Sequence, residues 1–162
     1  MNKVYLLIGG NIGDRLANLK MAIDCIEQTC GSMLKFSAIY ETEAWGFKHQ
    51  AAFLNQALLI DTSLNASQLM QALLAIEKKM GRIRDIPLGP RIIDIDIIYF
   101  NEEVVETALV SIPHPRLAER KFVLMPLVEI APQYIHPVLN KNNALLLEEC
   151  TDSSAVYKKN AL

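Results

Sequence analysis

An α+β fold of the ferredoxin-like, split βαβ kind, with additions after its core, is the class that this sequence predicts. Three observations predict it. Short apolar runs bounded by glycine or turn residues recur along the first hundred residues. Two stretches with apolar residues at steps of three and four separate them. The resulting order is strand, helix, strand, strand, helix, strand, and the chain becomes less periodic after Asn101.

The first strand is "KVYLLIG", residues 3–9, short and apolar and therefore buried. Asp14 can cap the helix that follows, in which Leu16, Leu19, Ile23, Ile26 and Cys30 share a stripe before Gly31 ends it. Residues 33–42 alternate, with Leu34, Phe36, Ala38 and Tyr40 on one face, which predicts one continuous second strand. A loop over residues 43–52 leads to a third strand at about residues 53–61. Asn65 with Gln68 reads as a capping box for a second helix, its stripe set by Leu69, Leu73, Ile76 and Met80 and its end by Gly81. Residues 92–100 form the fourth strand. Right-handed crossovers put both helices on one face of the sheet and leave the other face free for a site. Beyond the core, the pattern predicts a short strand pair near residues 104–110, a turn at "IPHPRL", a short helix near 123–130 and a weak one near 144–150. The polar end of the chain, from about residue 152, is expected to fray.

A chain of 162 residues, 51% of them hydrophobic, suits one domain spanning residues 1–162. A net charge of -2 and a pI near 5.9 exclude a general nucleic-acid binder, so any phosphate must be held by local arginine clusters. Every apolar run falls short of the about 18 residues that a membrane span needs, and the chain enters a strand with no leader pattern. A cytoplasmic location with no membrane partner is expected. Cys25, Cys30 and Cys150 lack CxxC spacing and read as reduced thiols packed in or near the core.

The chemistry concentrates in "GPRIIDIDIIYF", where Asp94 and Asp96 interrupt an apolar strand. Side chains two apart point the same way, so the two acids share one face while Ile93, Ile95, Ile97 and Tyr99 line the other. Such a pair is either part of a solvated sheet face or a hard-metal site, since Mg²⁺ takes one or two carboxylates plus waters and substrate phosphates. Arg82, Arg84 and Arg91 flank it in "GRIRDIPLGPR", and "HPRLAERKF" adds His114, Arg116, Arg120 and Lys121. These groups either form surface ion pairs, worth about 0 to 1 kcal/mol each, or bind phosphate oxygens bidentately. His114 lies between two prolines and is expected to be accessible. "GGNIGD", residues 9–14, lacks the Walker lysine and reads as a tight strand-to-helix turn. Phe53 and Phe122 fall beside loops, where aromatic rings are either core edge or a sandwich for a flat heterocycle.

Five segments together, "LLIGGNIGDR", "YETEAWG", "FLNQA", "GRIRDIPLGPRIIDIDIIYF" and "IPHPRLAERKFVLMPLVEIAP", resemble the 6-hydroxymethyl-7,8-dihydropterin pyrophosphokinase family of folate biosynthesis. The resemblance runs over about residues 3–137. It implies transfer of the pyrophosphoryl group of ATP to the hydroxymethyl oxygen of a reduced pterin, with release of AMP; a monomer is expected. It implies two Mg²⁺ ions on Asp94 and Asp96, and phosphates held and neutralised by Arg82 and Arg91. Arg84 would sit on a loop that closes over them, and Glu77, His114, Arg120 and the backbone of Ile97 would contact ATP. Phe53 and Phe122 would stack on the pterin, with Thr42, Asn55 and the backbone near Ala44 and Trp45 reading its edge. Leu74 and Leu109 depart from the resemblance, standing where some members place polar contacts to ATP, which leaves nucleotide affinity open. Without the resemblance, a Mg²⁺-dependent phosphohydrolase and a non-catalytic binding module remain rival readings.

Overall fold

A computed structural model describes residues 1–43, 50–83 and 89–159. The chain runs β1 (Asn2–Gly10), α1 (Arg15–Thr29), β2 (Ser32–Phe36), β3 (Tyr40–Thr42), β4 (Phe53–Thr62), α2 (Ala66–Lys79) and β5 (Asp94–Phe100). A short pair, β6 (Val105–Glu106) and β7 (Ser111–Ile112), precedes α3 (Lys121–Ile130), α4 (Asn143–Glu149) and β8 (Val156–Lys158). It is a mixed α and β fold on an antiparallel sheet in the order β5-β1-β4-β3-β8, with β2 also paired to β4.

Local signals set the ends of both long helices. Asp14 accepts a hydrogen bond from the Ala17 N–H at 3.1 Å to start α1. Asn65 and Gln68 form the reciprocal capping box of α2. Gly81, just past the end of α2, has φ +94°, a conformation that side chains bearing a Cβ rarely adopt. The apolar stripes of both helices meet Val4, Leu6, Ile8, Leu58 and Ile60 on one sheet face. Each fully buried Leu or Ile there contributes about 1.5–3 kcal/mol relative to exposure.

The second strand expected over residues 33–42 is instead two strands. A register shift between Met33 and Lys35 breaks the alternation, and Leu34 and Phe36 stand 44% and 65% exposed. Between the pieces, the Ser37 hydroxyl accepts from the Ala57 N–H, so the backbone leaves the regular ladder without losing its partners. The opposite sheet face is not wholly free either. Leu124 and Leu127 of α3 and Leu146 of α4 cover Leu7, Ala57 and Tyr99 there, which confines an open floor to one end of the sheet. Tyr99 belongs to this second core and not with Ile93, Ile95 and Ile97, because a bulge at the Tyr5/Leu6 step of the β1 pairing inserts Ile98 and reverses the side-chain alternation. The expected strand pair and both late helices are present, shifted by a few residues. The tail does not fray from residue 152: β8 pairs with β3 through Thr42 and Val156.

Candidate active site

The sheet register builds the floor of the site. Gly9 of β1 lies between Asp94 of β5 and Asn55 of β4, while Leu7 lies beside Asp96, so both acids and Asn55 project from the same face. Thr42 pairs with Phe53 one step further along. A Cβ on Gly9 would meet Asn55 Oδ1 at 2.2 Å, so glycine is what lets the asparagine lie across this floor.

Around the acids, positive charge arrives from two directions. Arg82 Nη1 donates to Asp94 Oδ1 at 2.7 Å and also lies 2.9 Å from Glu77 Oε1. Arg91 Nη1 donates to Asp94 Oδ2 at 3.0 Å. Burial first, then the charges of Asp94 and Glu77, together push the Asp96 carboxyl up to about 8 against the opposing pull of Arg82 and Arg120. Glu77 is 3% exposed and its second oxygen accepts from the Ile95 N–H at 2.7 Å, tying α2 to β5. Since backbone direction repeats every second residue, the Ile97 N–H faces the same outer edge of β5. His114 is half-buried, more enclosed than its sequence neighbours predict. Burial, followed by the Arg120 charge, lowers its pKa, and its Nδ1 accepts from the Arg116 N–H. The neutral ring therefore carries its proton on Nε2.

Two clefts meet at the acids. One is walled by Phe53 and Phe122 and floored by Gly9, Asn55 and Thr42. The other is lined by Arg82, His114, Arg116 and Glu77, with Met70, Leu74 and Leu109 as an apolar end. Asp94, Asp96 and Arg120 line both. Each aromatic wall also carries a guanidinium: Arg91 Cζ lies 5.3 Å from the Phe53 ring centre and Arg120 Cζ 5.7 Å from that of Phe122.

A flat apolar slot joined through two carboxylates to a basic slot fits a heterocycle held against a polyphosphate. The family model for 7,8-dihydro-6-hydroxymethylpterin-pyrophosphokinase matches residues 5–132. The chain belongs to this family. A 2-amino-4-hydroxy-6-hydroxymethyldihydropteridine pyrophosphokinase of Aquifex aeolicus is 43% identical over 141 residues, 87% of this chain and 88% of that protein. The Bacillus subtilis protein of the same name is 45% identical over 133 residues, 82% of this chain and 80% of the relative. The fold is similar to that of wild-type Plasmodium falciparum HPPK-DHPS, with a TM-score of 0.72 at 19% identity, over 92% of this chain and 43% of the solved one.

Most residues that the sequence marks for the pyrophosphokinase site converge at the two clefts. Ile97 lines neither cleft and is buried in the first core. Arg84, Ala44 and Trp45 lie outside the described residues. Asn11 is not among the residues that the sequence marks for the site, since "GGNIGD" reads as a tight turn more than as a phosphate cradle. Its side chain is 5% exposed, accepts from the Arg91 N–H at 2.9 Å and donates to Gln50 and to the Ala51 carbonyl. It therefore ties the segment that carries Arg91 to the one that enters β4. An asparagine directly after two glycines at a strand end was the available signal. Arg116 lines the basic cleft although nothing local in the sequence distinguishes it from a solvated arginine.

Proposed function

We propose that the pterin lies between Phe53 and Phe122, with Asn55 at its edge, and that the ATP polyphosphate lies along Arg82, His114, Arg116 and Arg120. The single observation that carries this reading is the junction: Asp94, Asp96 and Arg120 are common to an aromatic cleft and a basic one. Pyrophosphoryl transfer joins the hydroxymethyl oxygen to the β-phosphorus, breaks the bond to the α-phosphate oxygen and releases AMP, the hydroxyl proton passing to solvent. Transfer of this kind needs in-line placement and charge neutralisation more than a strong base. The aromatic walls supply the first, and Arg82 and Arg91 the second. Neutral His114 can donate from Nε2 to a phosphate oxygen without adding charge. Ala44, Trp45 and Arg84 complete the reading from the sequence.

The acids fit Mg²⁺. Among the described residues, no three His, Cys, Asp or Glu side chains converge into a full protein cage. Mg²⁺ does not need one, since it takes one or two carboxylates together with waters and substrate phosphates. Asp94 and Asp96 would hold two such ions, which would supply Lewis-acid neutralisation of the phosphates. A monomer in the cytoplasm completes the reading. The strand order β5-β1-β4-β3, with α1 and α2 on one face, supports reading the core as ferredoxin-like. Among the described residues, no helix is long and apolar enough to cross a membrane.

Incubation with ATP, Mg²⁺ and 6-hydroxymethyl-7,8-dihydropterin should yield AMP and the pterin pyrophosphate in equal amounts. ADP or free phosphate as the nucleotide-derived product would sink the reading.

A further inference from the structure

The residues after Pro132 lie beyond the span that the family model matches, yet they hold two parts of the chain that line or adjoin the aromatic cleft, at Thr42 and at Lys121. Asp152 accepts from the Lys121 N–H at 3.0 Å through Oδ2 and from the Ser154 N–H at 2.9 Å through Oδ1. Lys121 is the first residue of α3, and its neighbours Arg120 and Phe122 line the cleft. Three residues on, the Ala155 carbonyl accepts from the Thr42 hydroxyl at 3.1 Å. Thr42 ends β3, a strand of three residues, and is 3% exposed. β8 then forms the outer flank of β3, and the Lys159 N–H adds a bond to the Ile39 carbonyl at 2.7 Å.

Local chemistry explains why this segment holds its shape. Asp152 and Ser154 close an Asx-type turn, with the carboxylate accepting from the backbone two residues ahead. The second carboxylate oxygen occupies an N–H at the start of α3 that no helical carbonyl can reach. Burial alone would raise the pKa of Asp152, but the bonds from Ser154 and Lys121 outweigh it and keep the group ionised. Thr42 offers one hydroxyl hydrogen. Once it is given to Ala155, the Thr42 oxygen can only accept from a molecule in the cleft. The same short segment thus touches the strand that carries Thr42 to the floor of the cleft and the helix start that carries the Phe122 wall.

We propose that residues 152–158 form a positioning strap that sets the spacing of the pterin cleft, with Asp152 and the Ala155 carbonyl as its two fixing points. The inference rests on the reading of that cleft as the pterin site. Asp152 is a positioning residue and touches neither substrate. Its loss lets the start of α3 and the end of β3 move relative to each other, which weakens a stacked, edge-read ring. The basic cleft keeps Arg82 and His114, which are fixed by Glu77, Asp94 and the Ile98 carbonyl.

The test uses the full chain as wild type, Asp152→Ala and Asp152→Asn, with KM measured for each substrate and pterin affinity titrated directly by pterin fluorescence. Asp152→Ala should raise the pterin KM and dissociation constant about tenfold, the size expected for the loss of one charge-assisted hydrogen bond, with a smaller rise in the ATP KM, since of the groups placed on ATP only Arg120 adjoins Lys121. Asp152→Asn keeps one accepting oxygen and should fall between the two. Thermal unfolding checks that each variant is folded at the assay temperature, and the Asn variant carries the test if the Ala variant is not. A fall in kcat with both KM values unchanged, as loss of folded protein would give, overturns the strap. So does an equal rise in both KM values. A wild type that forms no AMP and binds no pterin removes the reading of the cleft itself, and the strap with it.

Discussion

Arg82 Nη1 stands 2.7 Å from Asp94 Oδ1, a guanidinium resting on a carboxylate that faces both clefts. The contact matters because Arg82 also leans on Glu77, so it is aimed before any phosphate arrives. Arg91 meets the other Asp94 oxygen. On the proposed reading, these two guanidiniums, held in place on Asp94, would neutralise the charge that develops on the transferring phosphates. Arg82→Ala and Arg91→Ala should each lower kcat by about 10²–10³, the scale seen when one preorganised charge-stabilising donor is removed. Single-turnover measurement of AMP formation checks this, and a variant that alters only KM would show that the arginine binds without stabilising the transfer.

Metal dependence follows from the acids. Chelation with EDTA should abolish AMP formation and added Mg²⁺ should restore it, while the Asp94→Ala, Asp96→Ala double variant should stay inactive in excess Mg²⁺. Activity that persists in the double variant would remove the two aspartates from the mechanism.

Glu77 holds two groups that are otherwise hard to satisfy, the Arg82 guanidinium and the Ile95 N–H. Removing it leaves a buried backbone donor without its partner, at a cost of about 1–3 kcal/mol. Glu77→Ala should therefore lower the unfolding free energy by that amount, read as a lower urea midpoint at unchanged m, and also lower kcat through Arg82. A stability loss with kcat unchanged would separate Glu77 from the aim of Arg82.

The aromatic walls predict a split between substrates. Phe122→Leu keeps apolar volume but loses a stacking face, and stacking of a flat heterocycle is worth about 1–3 kcal/mol. The pterin KM should rise at least about fivefold with little change for ATP. Equal effects on the two substrates would place the ring elsewhere.

Glu129 of α3 predicts a pH dependence of stability. It accepts from the Tyr40 hydroxyl at 2.7 Å and from the Ala38 N–H at 2.8 Å, with Lys158 of β8 at 3.6 Å. Burial alone would raise its pKa, but these bonds outweigh it and leave the group below its usual 4.5. A depressed folded value means that the stabilisation is present above the unfolded value and is lost as pH falls through the folded one. Urea midpoints should thus decline on acidification below about pH 4.5, and less steeply in Glu129→Gln or Tyr40→Phe. Equal slopes in all three proteins would exclude this carboxylate as the source.

What the sequence by itself determined is local. Asp14, Asn65 and Gln68 set helix starts because a cap needs only the next three residues, and Asp94 and Asp96 share a face because strand periodicity is a property of the strand. The family followed from five segments whose order and spacing survive without coordinates. The tertiary structure decided what depends on distant partners. A bulge against β1 sent Tyr99 into the second core, and α3 and α4 covered a face that the core alone leaves open. Pairing with β3 turned a polar tail into β8, since an edge strand is stabilised by hydrogen bonds to a neighbour more than a hundred residues away. Only packing, too, joined two clefts at one pair of carboxylates, because Phe53 of β4, the acids of β5 and the segment from His114 to Phe122 are brought together by no local pattern.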